Sequence, residues 1–256
     1  MREITIVGVF VMALFFAGGV YSQFAQGNEV QESISRGLAY LESQPQYDSE
    51  LLVMHMIQAK GNHPEVGAAI SSKSSKTDDF HYPIKQFVSN VPIEMASVSK
   101  ETLQAPYYSD FIHYFKCEPL TQEWINSLSN LSDTEDEPYN GAHALWILSL
   151  IRQDYLGGRC GDHSAFAEPL NSMIDAKAIE LESSLDDKKN FDAWVERVAV
   201  LGFVGSAVSQ ENIEYILSMQ AENGGWAPQT FEGETLDEER SHTTALAVWA
   251  LVEASS

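Results

Sequence analysis

Few residues of this chain have both the types and the spacing that catalysis requires. The pair His242-Thr243 opens a stretch of small and apolar residues, and the acidic run Asp237-Glu238-Glu239 precedes it closely. An imidazole beside a carboxylate can transfer protons near neutral pH, so His242 with Asp237 or Glu239 is the first candidate acid/base set. A histidine at a helix start, next to solvated acidic residues, would explain the same pattern without catalysis. The sequence therefore leaves open whether the protein is an enzyme.

A second group of reactive residue types lies in the glycine-rich corner around Cys160. Asp162 and His163 follow within three positions, and a thiolate beside an imidazole is an arrangement for nucleophilic catalysis. The chain has two cysteines, however, and the other is Cys117. In an exported protein an even count favours a disulfide, which would close a loop of about 44 residues and stabilise the fold by roughly 4 kcal/mol. We therefore predict a Cys117–Cys160 disulfide.

Other catalytic and metal-binding patterns are absent from the sequence. There is no His-Glu-x-x-His, no Gly-x-Ser-x-Gly, and no glycine loop with lysine for a nucleotide phosphate. The acidic loops at Asp133–Glu137 and Glu232–Glu239 do not follow the twelve-residue calcium pattern, so we interpret them as solvated loops. No metal site and no cofactor is predicted.

The first residues have the pattern of a secretory signal peptide. Met1-Arg2 precedes an uncharged apolar run from Ile4 to Val20, and Val20-Tyr21-Ser22 provides a cleavage site before Gln23. A retained membrane anchor is the alternative, but this run is short compared with the ~20 residues that span a bilayer. We predict a signal peptide at 1–22, a single domain at 23–256, and a secreted or periplasmic mature chain that is not in the membrane.

Charge restricts the partners. The formal net charge of the 256 residues is −22, with 37 acidic against 15 basic side chains. Such a surface repels phosphate backbones and anionic lipid headgroups, so we expect no nucleic acid and no membrane surface as partner. It also makes a cleft for acidic polysaccharide difficult to build. A small molecule, a glycan or another protein remains as the partner.

The apolar residues recur at helical spacing along the mature chain, and no segment alternates as a strand does. We predict an all-α protein of about eleven helices. Three segments pair an amphipathic helix with a more apolar one: 38–58, 124–151 and 213–252. Stacking such hairpins side by side buries the apolar members in an inner layer, here near 49–59, 141–153 and 243–253.

A glycine and tryptophan corner joins the last two predicted helices. Gly224 and Gly225 permit backbone angles that other residues avoid, Trp226 provides a large apolar plate, and Gln220 offers an amide to satisfy the turn. The whole pattern, followed by Thr244-Ala245-Leu246-Ala247-Val248-Trp249-Ala250-Leu251, resembles the repeats of the α/α-toroid superfamily, which includes squalene and hopene cyclases and protein prenyltransferases.

This resemblance implies an α/α toroid, complete or incomplete, built of stacked helical hairpins. It also implies a ligand site at the concave end of the ring, near Trp226 and His242. Cyclases of the superfamily use Asp-x-Asp-Asp, whose nearest counterpart here, Asp133-Thr134-Glu135-Asp136, has a glutamate third. Prenyltransferases hold zinc with Asp-x-Cys and a histidine; His242-Thr243 matches their His-Thr pair, but no Asp-x-Cys occurs. We expect a binding role or, alternatively, a carbohydrate-active or prenyltransferase-related enzyme that uses His242.

Overall fold

The computed structural model describes residues 27–44, 53–57, 106–155, 158, 166–228 and 237–255, without the side chains of 106–109, 112 and 237–239. Within these ranges the chain forms nine helices and no strand, which confirms the all-α prediction for this part of the protein. The helices are α1 (27–43), α2 (described over 53–57), α3 (Pro106–Phe115), α4 (Gln122–Ser129), α5 (Asn140–Arg152), α6 (Ala167–Ser183), α7 (Phe191–Val204), α8 (Gln210–Ser218) and α9 (Asp237–Ala254). The sequence also predicts helices at 64–70, 84–91 and 99–105 and a loop at 71–79, and these four segments lie outside the described residues.

Side-chain caps define where three of these helices begin. Thr121, Asn190 and Ser209 each have an extended backbone and accept a hydrogen bond from the backbone N–H three residues ahead. These bonds satisfy amides that have no partner within the helix. At the other end of α7, Gly205 adopts a left-handed φ of 95°, which stops the helix.

The last helix begins earlier than the sequence predicted. We expected it to start at Thr243 after an acidic loop, but α9 starts at Asp237, so His242 lies in its second turn. The loop prediction for 237–239 was wrong because acidic residues are favoured in a first helical turn, where the positive end of the helix dipole lies. Their polarity indicated a loop, whereas their position favours a helix.

Three helices form the buried layer. All residues are buried from Gly141 to Ile151 in α5, from Phe191 to Leu201 in α7, and from Thr243 to Glu253 in α9. Helix α7 packs against both α5 and α9, while α4 and α6 contact α5, α6 also contacts α7, and α8 contacts α9. The burial expected for 243–253 is confirmed, and that expected for 141–153 is confirmed as far as Ile151, since Arg152 and Gln153 are exposed. The apolar residues of 191–203 also recur at helical spacing and predict a helix there, but its place in the buried layer was not predicted.

The covering helices bury one face each. In α6 the buried residues Leu170, Ile174, Ala178 and Leu181 are three or four positions apart, and the residues between them are largely exposed. This spacing is that of an amphipathic helix lying on a core. The described helices therefore alternate along the chain between exposed and buried: α4 then α5, α6 then α7, α8 then α9.

The corner before α9 is anchored by the residues that the sequence singled out. Gly224 has a φ of 90°, and the Gln220 amide donates to the Gly224 carbonyl at 2.9 Å. Trp226 is 1 % exposed, and its indole N–H donates to the Ile216 carbonyl of α8 at 2.8 Å. Its backbone N–H donates to the Thr244 hydroxyl of α9. The corner thus fixes α8 and α9 relative to each other.

The same corner is bonded to the first described helix. Gln220 donates to the Ser33 carbonyl and accepts from the Ser33 hydroxyl, both at 2.9 Å, and Arg36 donates to the Ala221 carbonyl at 2.8 Å. A Cβ built on Gly37 of α1 would lie 2.8 Å from the Trp226 ring, so α1 approaches the indole closely. These contacts join residues more than 180 positions apart in the sequence.

Candidate functional site

The most concentrated polar chemistry in the described residues lies where α7 and α9 meet near their starts. Asp192, the second residue of α7, accepts a hydrogen bond from the Thr243 hydroxyl. The Nδ1 atom of His242 lies 3.1 Å from Asp192 Oδ2 and 3.2 Å from Oδ1. The His242 side chain is 30 % exposed, whereas that of Asp192 is 8 % exposed. A partly exposed imidazole is therefore held from behind by a buried carboxylate.

A third helix start completes the surroundings of Asp192. The hydroxyl of Tyr139, the residue preceding α5, donates to Asp192 Oδ2 at 3.0 Å. Burial alone would raise the pKa of Asp192, but the charge of His242 and the hydrogen bonds from His242, Thr243 and Tyr139 outweigh it and lower the pKa. Asp192 is thus an anion at neutral pH, and its position in the first turn of α7 favours that charge further.

Tyr139 remains a hydrogen-bond donor over the whole physiological range. Burial and the negative charges of Asp192 and Glu196 raise the pKa of its phenol well above the ordinary value of 10. Its ring also stacks on His143, with centroids 6.0 Å apart and planes at 20°. Tyr139 therefore connects the Asp192 pair to a second histidine and carboxylate.

That second pair, His143 and Glu196, lies one turn deeper. Nε2 of His143 in α5 is 2.7 Å from Oε1 of Glu196 in α7, and the side chains are 11 % and 1 % exposed. Because Glu196 follows Asp192 by four positions, the two carboxylates occupy one face of α7. One carboxylate is reached by a histidine from α9 and the other by a histidine from α5.

A structural ion pair borders this group. Arg197 donates from Nε to Asp133 Oδ2 at 2.6 Å and from Nη2 to the Pro138 carbonyl at 3.1 Å. Asp133 also accepts from the backbone N–H of Gly141 at the start of α5. Burial raises the pKa of Asp133, and the neighbouring guanidinium offsets that only in part. We predicted a solvated acidic loop here, but Asp133 points inward and holds α5 against α7.

The predicted site residues have different positions relative to this cluster. His242 belongs to it. Asp237 and Glu239 lie in the first turn of α9, but their side chains are not described, so their roles stay predictions. Trp226 is buried in the corner and its polar hydrogens bond to Ile216 and Thr244; a role in ligand binding is untested.

The cysteine prediction is likewise untested. Cys117 packs against the core beyond α3 with a left-handed φ of 54°. Cys160, Asp162 and His163 lie outside the described residues. The Cys117–Cys160 disulfide therefore stays a prediction.

Sequence reasoning missed Asp192, Glu196, Tyr139 and His143. One pattern could have identified the first two: they stand four positions apart in the otherwise largely apolar run from Phe191 to Val204. A carboxylate on a helix that is apolar all round must be buried, and buried carboxylates need partners. Tyr139 and His143 have no comparable pattern, because nothing local indicates which helix they face.

Two further observations concern the described residues only. A surface cavity of about 260 Å³ lies near the end of α7, with Val198, Leu201 and Lys188 in its lining. None of the residues that line this cavity belongs to the polar cluster. In this part of the chain no three His, Cys, Asp or Glu side chains converge as metal ligands.

Among the described helices, none has the length and apolar composition to cross a membrane. Comparison with known proteins does not assign the chain: no protein-family model matches it, and no curated protein and no solved structure is significantly similar to it.

Proposed function

We propose that this chain binds a small molecule or a glycan where α5, α7 and α9 begin, and that His242 and Asp192 perform acid/base chemistry on it. The contact between His242 Nδ1 and the Asp192 carboxylate is the observation that carries this proposal. A carboxylate on Nδ1 orients an imidazole and stabilises its protonated form, so that Nε2, on the far side of the ring, exchanges the proton. The 30 % exposure of His242 supports access from solvent.

The architecture that we propose for this function is an α/α toroid. Two observations support it: buried and covering helices alternate along the chain, and the first described helix bonds to the last hairpin through Ser33 and Gln220. Contact between the first and last members is what a closed ring of hairpins requires. In such a ring all buried helices run in one direction, so their first turns meet at one end.

The resemblance to protein prenyltransferases raises the question of a zinc site. In the prenyltransferases that the sequence resembles, an Asp-x-Cys and a histidine supply the ligands. Here Asp192 is followed two positions later by Trp194, which donates its indole N–H to the Leu185 carbonyl and packs on Phe191 and Tyr215. The aspartate and the histidine are paired, but a tryptophan stands where the thiolate would be. These residues do not fit that zinc site, and the proposed acid/base chemistry does not involve a metal.

Turnover assays on the mature chain, beginning at Gln23, test the proposal. We would incubate it with neutral, amino-sugar and acidic oligosaccharides and follow products by mass spectrometry. The variants His242→Gln and Asp192→Asn remove the acid/base pair, whereas His113→Gln alters another partly buried histidine, which lies 3.3 Å from Glu118. Circular dichroism would show that each variant is folded.

We expect the first two variants to lose about 100-fold or more in turnover, because a positioned acid/base group contributes ~10²–10⁴-fold. The His113 variant should stay within about twofold of the parent, since it lies outside the site. Saturable binding without turnover in any class would leave a binding module and refute the catalytic role. Full activity in the His242→Gln protein would refute the assignment of the residue.

A further inference from the structure

The side chain of Glu196 is buried more completely than a carboxylate should be with so few partners. The residue is 0 % exposed, and neither carboxylate oxygen accepts a hydrogen bond from any described residue. Its contact with His143 Nε2 is close in distance but is not aligned as a hydrogen bond. Removing a carboxylate from water costs several kcal/mol unless ion pairs and hydrogen bonds compensate. Beyond the contact with His143, the described residues therefore provide no hydrogen-bond donor to this carboxylate.

Two other buried polar atoms, both on α5, also have no partner among the described residues. They are Oδ1 of Asn140 and the indole Nε1 of Trp146, both buried. Asn140, His143 and Trp146 are spaced three apart and form one row on α5, of which His143 contacts Glu196. The unused groups are thus three acceptor oxygens and one donor nitrogen. A group that satisfies the three oxygens must donate several hydrogen bonds.

Charge favours the same kind of group. Among the described residues, the carboxylates of Asp133, Asp192 and Glu196 pair with one guanidinium, that of Arg197, and with the imidazoles of His242 and His143. Three acidic side chains thus share a single arginine. The chain as a whole, at −22, also attracts cations.

The walls of the seam between α5 and α7 are aromatic. Phe111 contacts His143 and Trp146 edge-on at centroid distances of 5.5 and 5.1 Å, and Tyr139 stacks on His143 at 6.0 Å. Aromatic faces attract organic cations as well as apolar groups. A buried carboxylate among aromatic rings is a combination that recognises an ammonium group attached to a carbon skeleton.

From these observations we propose that the seam between α5 and α7 binds a protonated amine of the ligand at Glu196, one helical turn below the Asp192–His242 pair. The inference deepens the proposed function and rests on it for the identity of the site: the substrate class becomes amine-bearing molecules, such as glycans with free amino sugars. The ammonium donates to Glu196, and the attached skeleton extends towards His242.

Matched probes separate the charge from the shape of the ligand. We would titrate the mature chain by calorimetry with n-butylammonium and its neutral counterpart n-butanol, and with glucosamine trimer and N-acetylglucosamine trimer. The variant Glu196→Gln removes the buried charge isosterically. Glu211→Gln makes the same change at a side chain that is 83 % exposed and so controls for the net charge.

We expect saturable binding of both amines and at least about tenfold weaker binding of both neutral probes, because the buried carboxylate would lose its ionic partner. Glu196→Gln should weaken the amines by about tenfold or more, whereas Glu211→Gln should change them by less than about twofold, as a rim or surface charge does. If the Glu196 variant does not fold, the comparison of amine with neutral probe on the parent still decides. Equal binding of amine and neutral probes, or amine binding unaffected by Glu196→Gln, would overturn the inference.

These outcomes are distinct from those of the proposed function. Amine binding that depends on Glu196, with no turnover of any glycan, would retain the amine site and reject the acid/base role. Turnover that depends on His242, with equal preference for N-acetylated and free amino sugars, would retain the acid/base role and reject the amine site.

Discussion

Replacing Gln220 with alanine should loosen the contact between α1 and the corner before α9, on which the proposed ring of helices depends. Its amide donates to the Ser33 and Gly224 carbonyls and accepts from the Ser33 hydroxyl, each at 2.9 Å. At ~0.5–1.5 kcal/mol net for each bond, the loss is about 2–4 kcal/mol. Unfolding free energies of ~5–15 kcal/mol are typical, so this is a large fraction. In a domain of this size the melting temperature should fall by roughly 5–12 °C.

The control is Gln210→Ala, which removes one exposed hydrogen bond to Glu214 within α8. Such a bond on a helix surface contributes only ~0.2–0.5 kcal/mol. Urea denaturation of both variants measures the difference. Hydrogen exchange then locates it: because Ser33 and Gln220 are 187 positions apart, amides of α1 should lose protection in the Gln220 variant only. Equal destabilisation by the two changes, or unaltered protection of α1, would show that the Gln220–Ser33 hydrogen bonds do not hold α1 to the corner. Either result would weaken the case for a ring.

Three further predictions concern the site, the corner and the cysteines. Because the pKa of Asp192 lies below its ordinary 3.8 in the folded state, this group stabilises the fold above that value, and its contribution is lost as the pH falls through the folded-state pKa. Asp192→Asn should therefore flatten the acid limb of the unfolding free energy in urea titrations between pH 2 and 5. Gly224→Ala should destabilise the fold more than Gly205→Ala. The φ angles of the two glycines are nearly equal, at 90° and 95°, but only a Cβ on Gly224 would lie 2.6 Å from a backbone oxygen, that of Arg36. The Gly205 variant measures the cost of the left-handed angle alone, which is ~1–2 kcal/mol. Intact mass of the oxidised mature chain should be two hydrogens below the reduced mass, and reduction should lower the unfolding free energy by roughly 4 kcal/mol; an unchanged mass would reject the Cys117–Cys160 bond.

Much of the helical organisation could be predicted from local patterns. The apolar spacing of 141–153 and 191–203 depends on neighbours within a few residues, so these two helices were located to within one position at each end. The corner was predictable for the same reason, since Gly224 and Trp226 act on residues close in sequence. Its attachment to Ser33 was not predictable, because no local feature of α1 indicates a partner at Gln220.

The site was predicted only in part because its members come from three separate helix starts. The neighbouring Thr243 and the preceding acidic residues identified His242 as a candidate. In the structure its carboxylate partner is Asp192. Asp192 was not predicted as a site residue because the apolar residues around it have a helical spacing, which by itself indicates only a helix that packs in the core. A carboxylate is informative there only if the helix is recognised as buried on every side.

Repetition explains how residues so distant in sequence meet. Tyr139 and Asp192 are 53 positions apart, and Asp192 and His242 are 50 apart, so each lies at the start of one buried helix in successive hairpins. A stack of hairpins with nearly equal length brings equivalent positions together at one end, without any long-range signal in the sequence. A polar side chain placed in the first turn of each buried helix then builds a cluster by register alone. If this is correct, inserting one alanine within the loop 186–189 should leave the cluster intact. Inserting one alanine within α7 after Asp192 should instead rotate Glu196 by about 100° around the helix axis, away from His143. The second insertion should therefore abolish binding of an amine probe.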